Sequence, residues 1–166
     1  SAIVGAISDF VAIKSQDIEV RSVLPSEMSE MPANSFAIRA DAIGGDREDT
    51  IEGFLRAWAK AGYAGLVDLE ATKMMVMEAD PENWVNEELG TIFLQAAQGL
   101  HTPDGEVFGD TRDAVWAGVL EEMVAVEMLA ETFPTDEILS DHFLQTANDF
   151  DRAEIEADVA EWKSSN

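Results

Sequence analysis

Two histidines and thirty-four carboxylates are the side chains of this sequence whose types could support acid–base or metal chemistry. His101 and His142 each lack a Glu or His three or four positions away, so the helix-borne zinc and di-iron patterns are absent. Both read as polar residues, one at a loop and one at a helix edge. Asp104, Glu106, Asp110 and Asp113 gather around a turn. A calcium loop needs oxygen ligands at fixed offsets, a central Gly and a closing Glu, and this segment lacks that spacing. It reads as a solvated acidic loop. No nucleophile elbow, phosphate-binding glycine loop or dinucleotide fingerprint occurs. Gly44-Gly45 precedes a helical pattern without the Lys-Ser/Thr of a phosphate loop, which leaves turn chemistry. With no cysteine, disulfides, thiolate metal sites and cysteine nucleophiles are excluded. The residues thus predict no catalytic group, no metal site and no cofactor, and binding without catalysis is the expectation.

The bulk numbers set bounds on what could be bound. A chain of 166 residues has the size of one ordinary domain, and 46% hydrophobic residues suffice for a core. Thirty-four acidic against ten basic residues give a net charge of −24, spread along the whole chain. Such a surface repels phosphate backbones and anionic headgroups, which argues against nucleic acid as a partner and against binding to acidic lipid. An evenly acidic surface with few lysines suits high salt, where screening relieves self-repulsion. No apolar run approaches the roughly 20 residues of a membrane span, so no membrane insertion is expected. The opening, Ser1 to Ile7, is apolar but lacks the basic start and cleavage site of a signal peptide. It reads as a buried strand without lead-in, and the expectation is that an upstream part is missing. The lack of cysteine fits the periplasm and the cytosol alike.

The elements that must position any site follow from periodicity. Ala2 to Ile7 is a continuous apolar run and predicts a buried strand; Asp9 to Ser15 predicts a short helix or turn. Ile18 to Leu24 and Ser35 to Ala40 alternate and predict half-buried strands. Pro25 to Pro32 reads as a loop, in which Met28 and Met31 could border a pocket. Beyond residue 46 the period becomes helical. Ile51, Phe54, Leu55 and Trp58 share one face, Asp46 or Asp49 can cap, Glu52 and Arg56 can pair outside, and Gly62 and Gly65 interrupt. Asp68 to Met77 predicts a Met-rich helix, and Asp80-Pro81-Glu82 a helix start. Thr102 to Gly105 is a turn signal. Asp110 opens a long helix with Val115, Trp116, Val119, Leu120, Met123 and Val124 inside, broken at Phe133-Pro134. Asp151 with Glu154 caps a last helix with Ile155, Val159 and Trp162 inside. The methionines and tryptophans otherwise fall at helical spacing, as core residues do.

Several segments, in order, resemble the C-terminal part of the periplasmic solute-binding proteins for sulfonates, taurine, nitrate and thiamine precursors. Val4 to Phe10 is similar to the strand and turn that closes that family's second lobe, and Asp17 to Val20 to the strand after it. Asn34 to Ile38 resembles the strand returning to the first lobe. Glu52-Gly53-Phe54-Leu55-Arg56-Ala57-Trp58 resembles a "Phe-Leu-Arg-Ala" helix, Asp80 to Trp84 an "Asn-Pro-Glu" helix start, and Phe133-Pro134 with Asp136 to Leu144 the closing motif. Gly5 stands where the family has an aspartate, and Asp9-Phe10-Val11 where Trp-x-Pro often follows. The resemblance implies an α/β fold, part of a two-lobed type II periplasmic-binding-protein architecture, with few strands early and mostly helices after residue 46. Residues 1–16 would form the end of the second lobe and the hinge, and 17–166 the C-terminal portion of the first lobe, the N-terminal half being absent.

It further implies a periplasmic, non-catalytic subunit of an ABC-type importer that closes on a small polar or anionic organic solute and meets the importer's membrane subunits. The candidate ligand contacts lie near strand ends. Ser8, Asp9 and Phe10 follow the first strand, and Asn34 and Ser35 open the third. Ser8, Asn34 and Ser35 can hydrogen-bond a solute, and Phe10 can form an apolar wall. Asp9 and Asn34 serve equally well as helix cap and turn residue. Two alternatives stay open: a stand-alone acidic, α-rich protein-interaction module with an exposed apolar patch, and an enzyme of thiamine-precursor synthesis with the same fold.

Overall fold

A computed structural model of the chain describes residues 10, 13, 16–21, 23, 35–101 and 107–166. Six α-helices carry the described part: α1 (Glu48–Val67), α2 (Leu69–Ala79), α3 (Glu87–His101), α4 (Asp113–Ala125), α5 (Leu144–Ala147) and α6 (Arg152–Ser165). Short 3-10 turns at Ala40–Ala42, Pro81–Trp84 and Thr135–Glu137 join them.

The α/β expectation, and with it the two-lobed architecture, is corrected here, because the described residues contain no strand and no sheet. Residues 35–39 and the described part of 18–24 take no regular structure. Alternation makes a segment fit to pair, but a strand exists only through its ladder, and neither segment has a partner strand among the described residues. Phe36 instead lies on a helix, with its ring centroid 5.3 Å from those of both Phe54 and Trp58. The strand expected over Ala2 to Ile7 and the turn at Thr102 to Gly105 lie outside the described residues.

Helix α1 is the centre of the packing and touches α2, α3, α5 and α6. Four of its 20 residues are Ala, the best helix former, and Glu48 and Asp49 in the first turn face the positive end of the helix dipole. Gly62 and Gly65 do not interrupt it. Each costs helix propensity of about 1 kcal/mol relative to Ala, but a Cβ on Gly62 would stand 2.7 Å from the Phe108 ring, and one on Gly65 would run into Gln98 of α3. The glycines let neighbours approach where a side chain could not. Ala59 and Ala71, both fully buried, keep the crossings close in the same way. Arg56 does not pair with Glu52. Its Nε donates instead to the Thr146 carbonyl at 2.9 Å and ties α1 to the end of α5.

Asp68 is the single residue between α1 and α2. Its backbone N–H donates to the Ala64 carbonyl and closes α1, while its side chain accepts the Ala71 N–H at 2.9 Å and opens α2. The second carboxylate oxygen takes the ammonium of Lys163 at 2.5 Å, so α6 is fastened to the same joint. Asp151 caps α6 as its sequence suggests, accepting from Ala153 and Glu154. Tyr63 donates to Glu156 at 2.6 Å, and the Arg152 guanidinium sits 5.2 Å over the Tyr63 ring, holding α6 along α1. The Asp80-Pro81 signal yields only a 3-10 turn, and the α-helix beyond starts at Glu87.

Candidate functional site

The candidate contacts divide sharply. Ser8, Asp9 and Asn34 lie outside the described residues. Phe10 is helical and half-buried, and Ser35 is exposed at the start of the segment that crosses α1. Nothing described brings Phe10 and Ser35 together.

Around Ser35 a row of aromatic rings passes from the surface into the core. Phe54 and Trp58 are one helical turn apart on α1 and therefore share a face. Phe36 meets both edge-on, at interplanar angles of 86° and 89°. Trp58 meets Phe108 edge-on at 6.3 Å. The inner end is closed, with Phe108 only 1% exposed, whereas Phe36 and Phe54 remain 53% and 55% exposed. An open aromatic surface thus lies on α1, and the exposed Ser35 adjoins Phe36 in the chain. That combination suits an organic molecule with an apolar or planar part and one polar group. Sequence reasoning named Ser35 but assigned Phe36 to a strand face and Phe54 to the inner side of α1. The i,i+4 spacing of Phe54 and Trp58 was visible; the exposure of Phe54 depends on what packs against it.

The inner end of the row is locked by Asn148. Its Oδ1 accepts the Phe108 N–H at 2.9 Å, and its Nδ2 donates to the carbonyls of Phe108 and Leu144 at 2.9 and 2.8 Å. All hydrogen-bonding capacity along that edge goes to backbone. The shallow depression beside it, lined by Val107, Leu144, Gln145, Asn148 and Asp149, therefore offers a ligand little but Gln145 and Asp149. A second open depression holds Lys73, Glu87, Glu88, Thr91 and Ile92. There the Lys73 ammonium is paired with Glu87 at 2.7 Å, which pushes its pKa up and keeps it charged. Thr91 Oγ1 donates to the Glu87 carbonyl.

His142 pairs with Glu48 at 2.5 Å, across 94 positions of sequence, and stacks edge-on against Phe143. Among the described residues no group of three or more His, Cys, Asp or Glu side chains is placed to hold a metal ion. No helix of the described residues is long and apolar enough to cross a membrane. No family model, no curated protein and no solved structure matches this chain. The likeness to solute-binding proteins therefore rests on the sequence segments alone.

Proposed function

We propose that this chain is a non-catalytic, periplasmic solute-binding component of an ABC-type importer, and that its ligand is a small polar or anionic organic solute. The ordered segments from Val4 to Leu144 that resemble such proteins give the reading its class. The observation that supports it is the exposed Phe36–Phe54 surface, with the exposed Ser35 next to Phe36 in the chain. An apolar wall with a nearby hydrogen-bonding group is what a small organic solute requires, and no proton-transfer machinery is needed to hold it. The importer's membrane subunits are the partner this role implies.

The test is calorimetric titration and thermal unfolding of the purified protein with taurine, a longer alkanesulfonate, nitrate and the pyrimidine precursor of thiamine. A true ligand at a hundred times its Kd adds about 2.7 kcal/mol, which raises the Tm by roughly 5–10 °C for a chain of this size. Phe54→Ser and Ser35→Ala should both weaken that ligand; Ser35→Ala should leave the ligand-free Tm close to that of the parent, whereas Phe54→Ser should lower it slightly through loss of the Phe36 contact. No heat and no Tm shift with any of the four at millimolar concentration would overturn the proposal.

A further inference from the structure

The far end of α4 sets exposed aliphatic side chains among carboxylates. Among the described elements, the packing partner of α4 is the turn Thr135–Glu137. Leu120 is buried, but Val115, Trp116, Val119, Met123 and Val124 are only partly covered. The helix ends where Glu127 takes a left-handed conformation (φ 60°) and the N–H groups of Met128 and Leu129 both donate to the Met123 carbonyl, at 2.8 and 3.1 Å. This closure fixes Val126 and Met128 in solvent, 62% and 69% exposed, with Ile138 at 49% just past the neighbouring turn.

The charges nearest these apolar groups in the sequence are all of one sign. From Asp113 to Asp141 the sequence has eight carboxylates and neither Lys nor Arg. Glu121, Glu122, Glu127, Glu131, Asp136 and Glu137 are exposed, and no ion pair reaches them among the described residues. A second copy of the chain would bring the same carboxylates face to face, and like charges opposed across an interface cost several kcal/mol. An anionic lipid surface is repelled in the same way.

We propose that the end of α4, with Val126, Met128 and Ile138 at its centre, docks a basic amphipathic helix of another protein. The apolar face of such a helix would cover the exposed aliphatic groups, and flanking Lys and Arg would meet the uncompensated carboxylates. The inference is independent of the solute reading, because this surface shares no residue with the Ser35 region.

The experiment is fluorescence anisotropy of the whole chain with a labelled Leu/Lys peptide of about 18 residues, or five helical turns, with Leu at i, i+3, i+4 spacing. A scrambled peptide of the same composition and a Leu/Glu counterpart serve as controls, all at about 0.15 M salt, where the screening length is roughly 8 Å. The amphipathic Lys peptide should bind, the scrambled one at least about tenfold more weakly, and the Leu/Glu one not at all. A Val126→Ser, Met128→Ser double variant should lose about tenfold or more, since covering even one such side chain accounts for that factor. Glu122→Gln with Glu127→Gln should flatten the salt dependence. Equal binding of the scrambled peptide, or unchanged affinity of the double variant, would overturn the proposal. So would a dimer in gel filtration that Val126→Ser and Met128→Ser dissolve, because the occupant would then be a second copy. A lack of peptide binding combined with a drop in Tm of the double variant would overturn it too, since the chain itself would cover the surface.

Discussion

Replacing Gly62 by alanine puts a methyl group 2.7 Å from one edge carbon of Phe108 and 3.0 Å from the next. Neither side can yield easily. Gly62 is inside α1, and Phe108 is clamped at both its N–H and its carbonyl by Asn148, with its ring buried to 1%. Overpacking of this kind costs about 1–3 kcal/mol, against which the better helix propensity of Ala returns about 1 kcal/mol. Phe108→Ala alone removes a buried ring and costs about 3–5 kcal/mol. In the Phe108→Ala background the obstruction is gone, so Gly62→Ala should turn from neutral or destabilising to stabilising by about 1 kcal/mol. The coupling between the two sites should therefore be about 1–3 kcal/mol, where additivity predicts none. Urea unfolding followed by circular dichroism measures all four corners of the cycle. Equal effects of Gly62→Ala in both backgrounds would refute the account of why α1 carries a glycine there.

Asn148→Ala should destabilise the fold by about 1–3 kcal/mol, because it strands the Phe108 N–H and carbonyl in a half-buried place; an unchanged urea midpoint would show that water replaces the side chain. Asp68 gives a pH signature. The Lys163 hydrogen bond first, and the Ala71 N–H second, hold its carboxyl below the usual carboxylate range. A depressed folded pKa means stability that is present above the unfolded value of about 4 and lost as pH falls through the lower folded value. The Tm gap between the parent and Asp68→Asn should therefore be widest near neutrality and narrow steadily as the pH falls below the unfolded value of about 4, whereas a gap that stays constant on acidification would refute the assignment.

Of the caps that the sequence offers, Asp151 forms, accepting the Ala153 and Glu154 N–H groups, whereas Arg47 rather than Asp46 or Asp49 precedes α1 and Asp80 makes no side-chain cap. Asp68 caps α2, although the sequence marks it only as the start of a Met-rich helix. Glycine misled, because Gly62 and Gly65 signal a break only until the ring of Phe108 and the side chain of Gln98 are known to need the space. The alternation of Ser35 to Ala40 predicts a half-buried strand, yet the segment is unpaired and all six residues are exposed, since pairing is not encoded in one segment. Helix α4 stops at Ala125, nine residues before Pro134, through the left-handed Glu127, which has none of the glycine that usually marks such an end. As a candidate contact, Ser35 could be named from its type and place, and it is exposed. The exposed partners Phe36 and Phe54 could not, because apolar character says only what a residue prefers, and the packing decides what it obtains.

The single-residue joint at Asp68 also sets which length changes the chain tolerates. One residue added there would rotate α2 by about 100° relative to α1 and move its carboxylate away from both Ala71 and Lys163, so the error would spread to three helices. The non-helical stretch 126–134 has no such obligation, and extra residues there leave the α1, α2 and α6 contacts in register. Natural length variants of this protein, and any epitope or reporter inserted into it, should therefore collect after α4 and avoid the joint at Asp68.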